Sequence, residues 1–187
     1  MADIEHKDIA DPNIHEPKGI ATAPEDAVYV ADGSGGGAWQ RISYGIMSIL
    51  GNTTAFTPSS ADITDYKLLN NTGWQAINSR DMTVLADDVN DSITVTNTGV
   101  YDAHFWASFD TSASSGTQFA FRFAVNGVLI PVIVPTQKNS AGSDTINVAS
   151  KGISALTAGD ILSVYAASSA STAFTVVDAS FALVEII

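Results

Sequence analysis

Residues 100–109 read Val100-Tyr101-Asp102-Ala103-His104-Phe105-Trp106-Ala107-Ser108-Phe109. Along a β-strand successive side chains point to opposite faces. One face of this stretch therefore carries Tyr101, Ala103, Phe105, Ala107 and Phe109, and the other carries Asp102, His104, Trp106 and Ser108. The same two-residue period continues on either side. In Thr117–Val125, Phe119, Phe121, Phe123 and Val125 share a face opposite Arg122, and Asn126-Gly127 follows as a tight hairpin turn. In Asp160–Ala167, Leu162, Val164 and Ala166 oppose Ile161, Ser163 and Tyr165. Near the end of the chain Phe181 and Leu183 oppose Ala182, Val184 and Ile186.

Further short runs separate at Gly, Asn and Asp. Strands are expected near Tyr66–Leu69, Trp74–Ile77, Met82–Leu85, Ser92–Thr96, Val100–Asp110, Thr117–Val125, Val128–Val134, Asp144–Lys151, Asp160–Ala167 and Ala173–Ile186. Turn signals at about ten-residue spacing with no competing helical period predict an all-β antiparallel sandwich. If the Phe-rich faces line its core, Trp106, Tyr165, Val184 and Ile186 point outward. A contiguous apolar surface of that kind marks a subunit interface, the alternative being a second packed layer such as the N-terminal segment folded over that sheet.

Composition narrows the function. The chain has 187 residues, 8 basic against 20 acidic side chains, 3 His and no Cys, for a net charge of -12. Without Cys there is no disulfide framework and no Cys-ligated metal. The scattered Lys and Arg form no patch for phosphates, which argues against nucleic acid as a partner. No run reaches the roughly 18 apolar residues of a membrane helix, so membrane insertion is not expected. The acidic start, Met1-Ala2-Asp3-Ile4-Glu5, does not read as a signal peptide.

Residues 1–42 read as an extended arm. Pro12, Pro17 and Pro24 disfavour helix, and apolar residues are sparse among many carboxylates. One strand is expected at Ala27-Val28-Tyr29-Val30. Asp32-Gly33-Ser34-Gly35-Gly36-Gly37 then reads as a flexible turn or hinge ahead of Trp39. The Gly run lacks the Lys-Ser/Thr of a phosphate loop. An arm with little core of its own is ordered most easily by lying on something else. Residues 43–65 read as a connecting segment, with Tyr44–Leu50 a strand or helical turn, and residues 66–187 as the β domain.

Four stretches, in order, resemble the C1q/TNF-like jelly roll. Thr96-Asn97-Thr98-Gly99-Val100-Tyr101-Asp102-Ala103-His104-Phe105 is similar to its Gly-x-Tyr-x-x-x-Phe strand. Phe121-Arg122-Phe123-Ala124-Val125-Asn126-Gly127 looks like the next strand and its turn. Leu156-Thr157-Ala158-Gly159-Asp160-Ile161-Leu162-Ser163-Val164 is similar to its Leu-x-x-Gly-Asp-x-Val-x-Leu element. Phe181-Ala182-Leu183-Val184-Glu185-Ile186 looks like its closing strand. The resemblance implies a homotrimer with inner sheets packed about a threefold axis, and His104, Trp106, Tyr165, Val184 and Ile186 as interface residues. The collagen stalk of C1q proteins and the disulfides of many TNF ligands are missing.

The arm has its own resemblance. Asp11-Pro12-Asn13-Ile14-His15-Glu16-Pro17-Lys18-Gly19, then Val28-Tyr29-Val30-Ala31-Asp32-Gly33 and Trp39, is similar to N-terminal segments of tailed-bacteriophage virion proteins. Those include head fibres, capsid decoration proteins and short tail fibres. The resemblance implies a non-enzymatic trimer on the capsid surface of a virion, made in the host bacterial cytoplasm. It implies docking on the major capsid protein through Pro12, Ile14, His15, Pro17, Val28, Tyr29, Val30 and Trp39. A host-surface glycan is a further candidate ligand. The alternative is the receptor-binding tip of a short tail fibre. The Ser/Ala/Gly/Thr-rich loops expected at Asp110–Gly116, Gln137–Gly142 and Ala167–Thr172 offer such a tip no aromatic platform.

Catalytic chemistry has few carriers. Asp102 and His104 share a strand face and are the candidate acid–base pair. Neither a Gly-x-Ser-x-Gly elbow nor a Cys accompanies them. The acidic cluster Asp87, Asp88 and Asp91 lacks EF-hand spacing and reads as a solvated turn. No catalytic residue, cofactor or metal site is expected.

Overall fold

In the computed structural model the chain is all-β among the residues the structure describes, 23–34, 36–70, 72–87, 89–131, 136–140 and 144–186. It divides into two compact units, Met1–Ile42 and Ser43–Ile187. Of the expected arm contacts, Pro12, Ile14, His15 and Pro17 lie outside the described residues.

In the first unit β1 (Ala27–Ala31) and β2 (Gly37–Arg41) form an antiparallel hairpin in which Tyr29 faces Trp39 across the strands. Their rings meet edge to face at 5.3 Å. The run Asp32–Gly37, expected as a flexible turn or hinge, forms the turn of this hairpin in its described residues. The Asp32 carboxylate accepts the backbone N–H of Ser34 at 2.8 Å and of Gly36 at 3.1 Å, and also the Ser34 hydroxyl. These bonds hold its carboxyl below the usual range. A local side-chain cap of this kind turns flexible composition into a defined turn.

The second unit contains β3 (Tyr44–Ile49), β4 (Lys67–Leu68), β5 (Gln75–Arg80), β6 (Met82–Leu85), β7 (Ser92–Val95) and β8 (Gly99–Thr111). It continues with β9 (Gln118–Val125), β10 (Val128–Leu129), β11 (Gln137–Lys138), β12 (Asp144–Leu156), β13 (Ile161–Ser168) and β14 (Phe174–Ile186). A five-stranded sheet runs β12-β8-β14-β3-β5. A seven-stranded sheet runs β10-β9-β13-β7-β6, with β11 on β9 and β4 on β13. All pairings are antiparallel. Asn126 and Gly127 turn β9 into β10 with φ of 51° and 78°, as a type I′ turn requires.

The core lies between the sheets and is aromatic. Phe105, Phe109 and Phe174 of the five-stranded sheet meet Phe119 and Phe121 of the other. Ring centroids are 5.0 Å apart for Phe109–Phe119 and 5.4 Å for Phe105–Phe121. Phe123 stacks on Phe181 at 5.7 Å. Phe56, from the loop after β3, bridges Phe174 and packs its ring at 5.2 Å. The alternation read from the sequence therefore places the Phe-rich faces inward, and Tyr101, Phe109, Phe119 and Phe121 are all fully buried.

Tyr44–Ile49, expected as a strand or helical turn, is a strand, placed in the interior of the sheet between β14 and β5. Gly45 makes that placement possible. A Cβ there would sit 2.8 Å from the Ile93 side chain and 3.1 Å from that of Val84, on the facing sheet. Gly45→Val should lower unfolding free energy by about 1–3 kcal/mol through overpacking. Urea unfolding of the full chain checks this, and an unchanged midpoint would rule out close sheet contact at residue 45. The segment expected as Val128–Val134 is a strand only at Val128–Leu129, and residues 132–135 lie outside the described set.

Candidate functional site

The site is built from the outward residues of the five-stranded sheet. The β12–β8–β14 ladder sets them in rows: Thr145–Asp110–Thr175, Asn147–Ser108–Asp178, Ala149–Trp106–Ser180, Lys151–His104–Ala182, Ile153–Asp102–Val184 and Ala155–Val100–Ile186. Ile46 and Tyr44 of β3 extend the rows of Ala182 and Val184. The face is thus polar at one end and apolar at the other. Four large apolar side chains stand open in the apolar half: Val100, Trp106, Ile153 and Ile186, exposed by 43%, 48%, 61% and 45%. A groove of about 320 Å³ runs beside Trp106, between His104, Ala149 and Lys151.

One ionic cluster interrupts the apolar half. Asp102 Oδ2 accepts from Lys151 Nζ at 2.7 Å and from His104 Nε2 at 3.1 Å. Partial burial pushes the Asp102 carboxyl up, but the hydrogen bonds and charges of Lys151 and His104 outweigh it and hold the group low. Asp102 and His104 do pair, but on an open sheet face beside an apolar groove.

Of the expected interface residues, the structure brings His104, Trp106, Val184 and Ile186 onto one face. Tyr165 is the exception. It points outward, but from β13 in the seven-stranded sheet, opposite Arg122 and Leu68. Alternation fixes a residue's face only relative to its own strand, and the sheet that strand joins is decided by remote pairing. Sequence reasoning missed Val100, Ile153 and Lys151. The signal was present for Val100, two residues from Asp102. Ile153 needed β12 to continue past Lys151.

Two other clusters serve the fold. Ser43 Oγ donates to Glu185 Oε2 at 2.5 Å and accepts from Asn97 Nδ2 at 3.1 Å, fastening the start of the second unit to β14. Tyr101 donates to the Asn97 carbonyl at 2.7 Å, and burial with the nearby Glu185 charge pushes its hydroxyl up to about 12. In the acidic loop, Asp87 Oδ1 accepts the backbone N–H of Asn90 at 2.7 Å and of Val89 at 2.9 Å. That carboxylate oxygen shapes a turn, and Asp88 lies outside the described residues. Among the described residues no group of three or more His, Asp or Glu is placed to hold a metal ion.

No family model and no curated protein matches the chain. Solved structures do. Over 78% of this chain and 94% of the other, it superposes on the Eiger TNF of S. frugiperda with a TM-score of 0.53 at 13% identity. Over 76% of this chain and 98% of the other, it superposes on the globular domain of the zebrafish complement 1qA protein with a TM-score of 0.51 at 16% identity. With its two antiparallel sheets and aromatic core, the second unit has the C1q/TNF-like jelly-roll fold.

Proposed function

We propose that this chain is a non-enzymatic structural virion protein, a homotrimeric capsid decoration protein of head-fibre type from a tailed bacteriophage. The open apolar half of the five-stranded sheet carries the self-association, because Val100, Ile153 and Ile186 stand exposed in adjacent rows there, with Trp106 exposed beyond the Lys151–His104 row. A second copy is the occupant that suits it. In the rows from Trp106 to Val100 on β8, β12 and β14 the charges are those of the balanced cluster at Asp102, with Asp110 and Asp178 in the polar rows, so the apolar half suits a surface of its own kind better than a strongly charged partner. The resemblance of the arm to phage virion proteins supports the particle assignment. Its hairpin is a two-stranded ribbon with Tyr29 and Trp39 half-exposed, marginal by itself and gaining from contact with a shell.

Light scattering on the full chain tests the trimer. A mass near three times 19.5 kDa supports it, and a single-chain mass at micromolar concentration overturns it. Removing residues 1–42 should leave a folded trimer that no longer binds particles. Full retention of particle binding would overturn the arm's role. A second reading, the tip of a short tail fibre, draws on the polar end of the same face. There Asp110, Thr145, Thr175 and Ser112 line a cleft of about 360 Å³, hydroxyl-rich in the manner of a sugar site. Labelling on particles separates the two: spread over the shell for decoration, confined to the tail for a fibre.

A further inference from the structure

We infer that assembly through this face is gated by a proton at His104, so that copies separate as pH falls through the range of histidine. The inference rests on the self-association reading above and adds to it a control built into the Asp102–His104–Lys151 cluster.

The charge balance is local. On β8, Asp102 lies two residues from His104 on the same face; on β12, Lys151 stands directly across from it. On β14 the facing residues are Ser180, Ala182 and Val184, none charged. Two strands further, Arg80 of β5 lies over the Tyr44 ring at 5.5 Å. The Asp102 carboxylate is already neutralised by Lys151 at 2.7 Å. A neutral His104 donates its Nε2–H to the same oxygen and leaves the cluster uncharged. A protonated His104 is a surplus positive charge beside the Lys151 ammonium.

In a separate chain that surplus is tolerable, because the His104 and Lys151 side chains are 49% and 59% exposed and water screens them. Against a second copy the water is lost and the charge is not compensated. The separated chain therefore binds the proton more readily than the assembled one. By linkage the assembly is fully favoured above the ordinary histidine range and weakens below it. Where the assembled state excludes the proton, the effect multiplies over the chains, on the order of 10³-fold in the dissociation constant for three chains between pH 8.0 and 5.5.

The test measures dissociation constants of the full chain by sedimentation at pH 8.0 and 5.5, for the wild type, His104→Gln and His104→Lys. Each protein is read as the ratio between the two pH values. Expected are a ratio on the order of 10³ for the wild type, a ratio below about tenfold for His104→Gln, and a His104→Lys chain already separated at pH 8.0. Equal ratios for wild type and His104→Gln, or a His104→Lys chain that assembles like the wild type, overturn the gate while leaving self-association intact. A wild-type chain that is single at pH 8.0 overturns the self-association reading itself, and the gate with it.

Discussion

On the proposed self-association, Trp106→Glu should give single chains at micromolar concentration while leaving the fold in place. Trp106 is about half-exposed and stands beside the groove on the five-stranded sheet, with Ala149 and Ser180 as its row neighbours. Tryptophan anchors at interface centres commonly contribute 2 kcal/mol or more, about a thirtyfold change in dissociation constant. A carboxylate in its place adds the desolvation of an unpaired charge, repeated in every copy. Surface substitutions of this kind change folding stability by only about 0.5 kcal/mol. Light scattering therefore reports the loss of mass, and thermal unfolding of the separated chains reports an intact fold. A Trp106→Glu chain that keeps the wild-type mass would remove this face from the interface.

Phe109→Ala should act in the opposite way, through the core. Phe109 has no exposed surface, and its ring lies 5.0 Å from Phe119, 5.4 Å from Phe174 and 5.5 Å from Phe121. It touches both sheets, so the cavity left by truncation cannot close by moving one strand. Losses of about 3–5 kcal/mol are typical of such changes. That is a large share of the roughly 5–15 kcal/mol that holds a domain folded. Urea unfolding gives the number directly. A loss below about 1 kcal/mol would show that the aromatic cluster is not the centre of the fold.

The two variants separate the two faces of one strand. Phe109 and Trp106 are three residues apart on β8, yet one seals the sandwich and the other opens on solvent. The period of two in residues 100–109 was enough to assign them, because the alternation is a property of the strand's own backbone. For the same reason the inward faces of β9, β13 and β14 were legible, and Met82–Leu85 was read with its observed bounds.

Other elements needed partners to exist. β2 lies in a Gly-rich stretch with little strand character, and it forms because β1 supplies its ladder and Asp32 closes the turn. β12 was expected to stop at Lys151 before Gly152, but pairing with Gly99–Ala103 of β8 carries it to Leu156. That extension places Ile153 in the open apolar patch. β5 has Asn78, Ser79 and Arg80 at its end and is held as an edge strand by β3. In each case long-range hydrogen bonding overrides a weak local preference.

Side-chain periodicity is written locally, and it is enough to read a β-sandwich with a Phe-lined core from the residues alone. It also determined that His104, Trp106, Val184 and Ile186 point away from that core. Which outward residues share a surface follows from the pairing of distant strands. It set Tyr165 on one sheet and Trp106 on the other, and it brought Lys151 across from His104 to balance Asp102. Those adjacencies come from strands paired over tens of residues, and a local period carries no information about them.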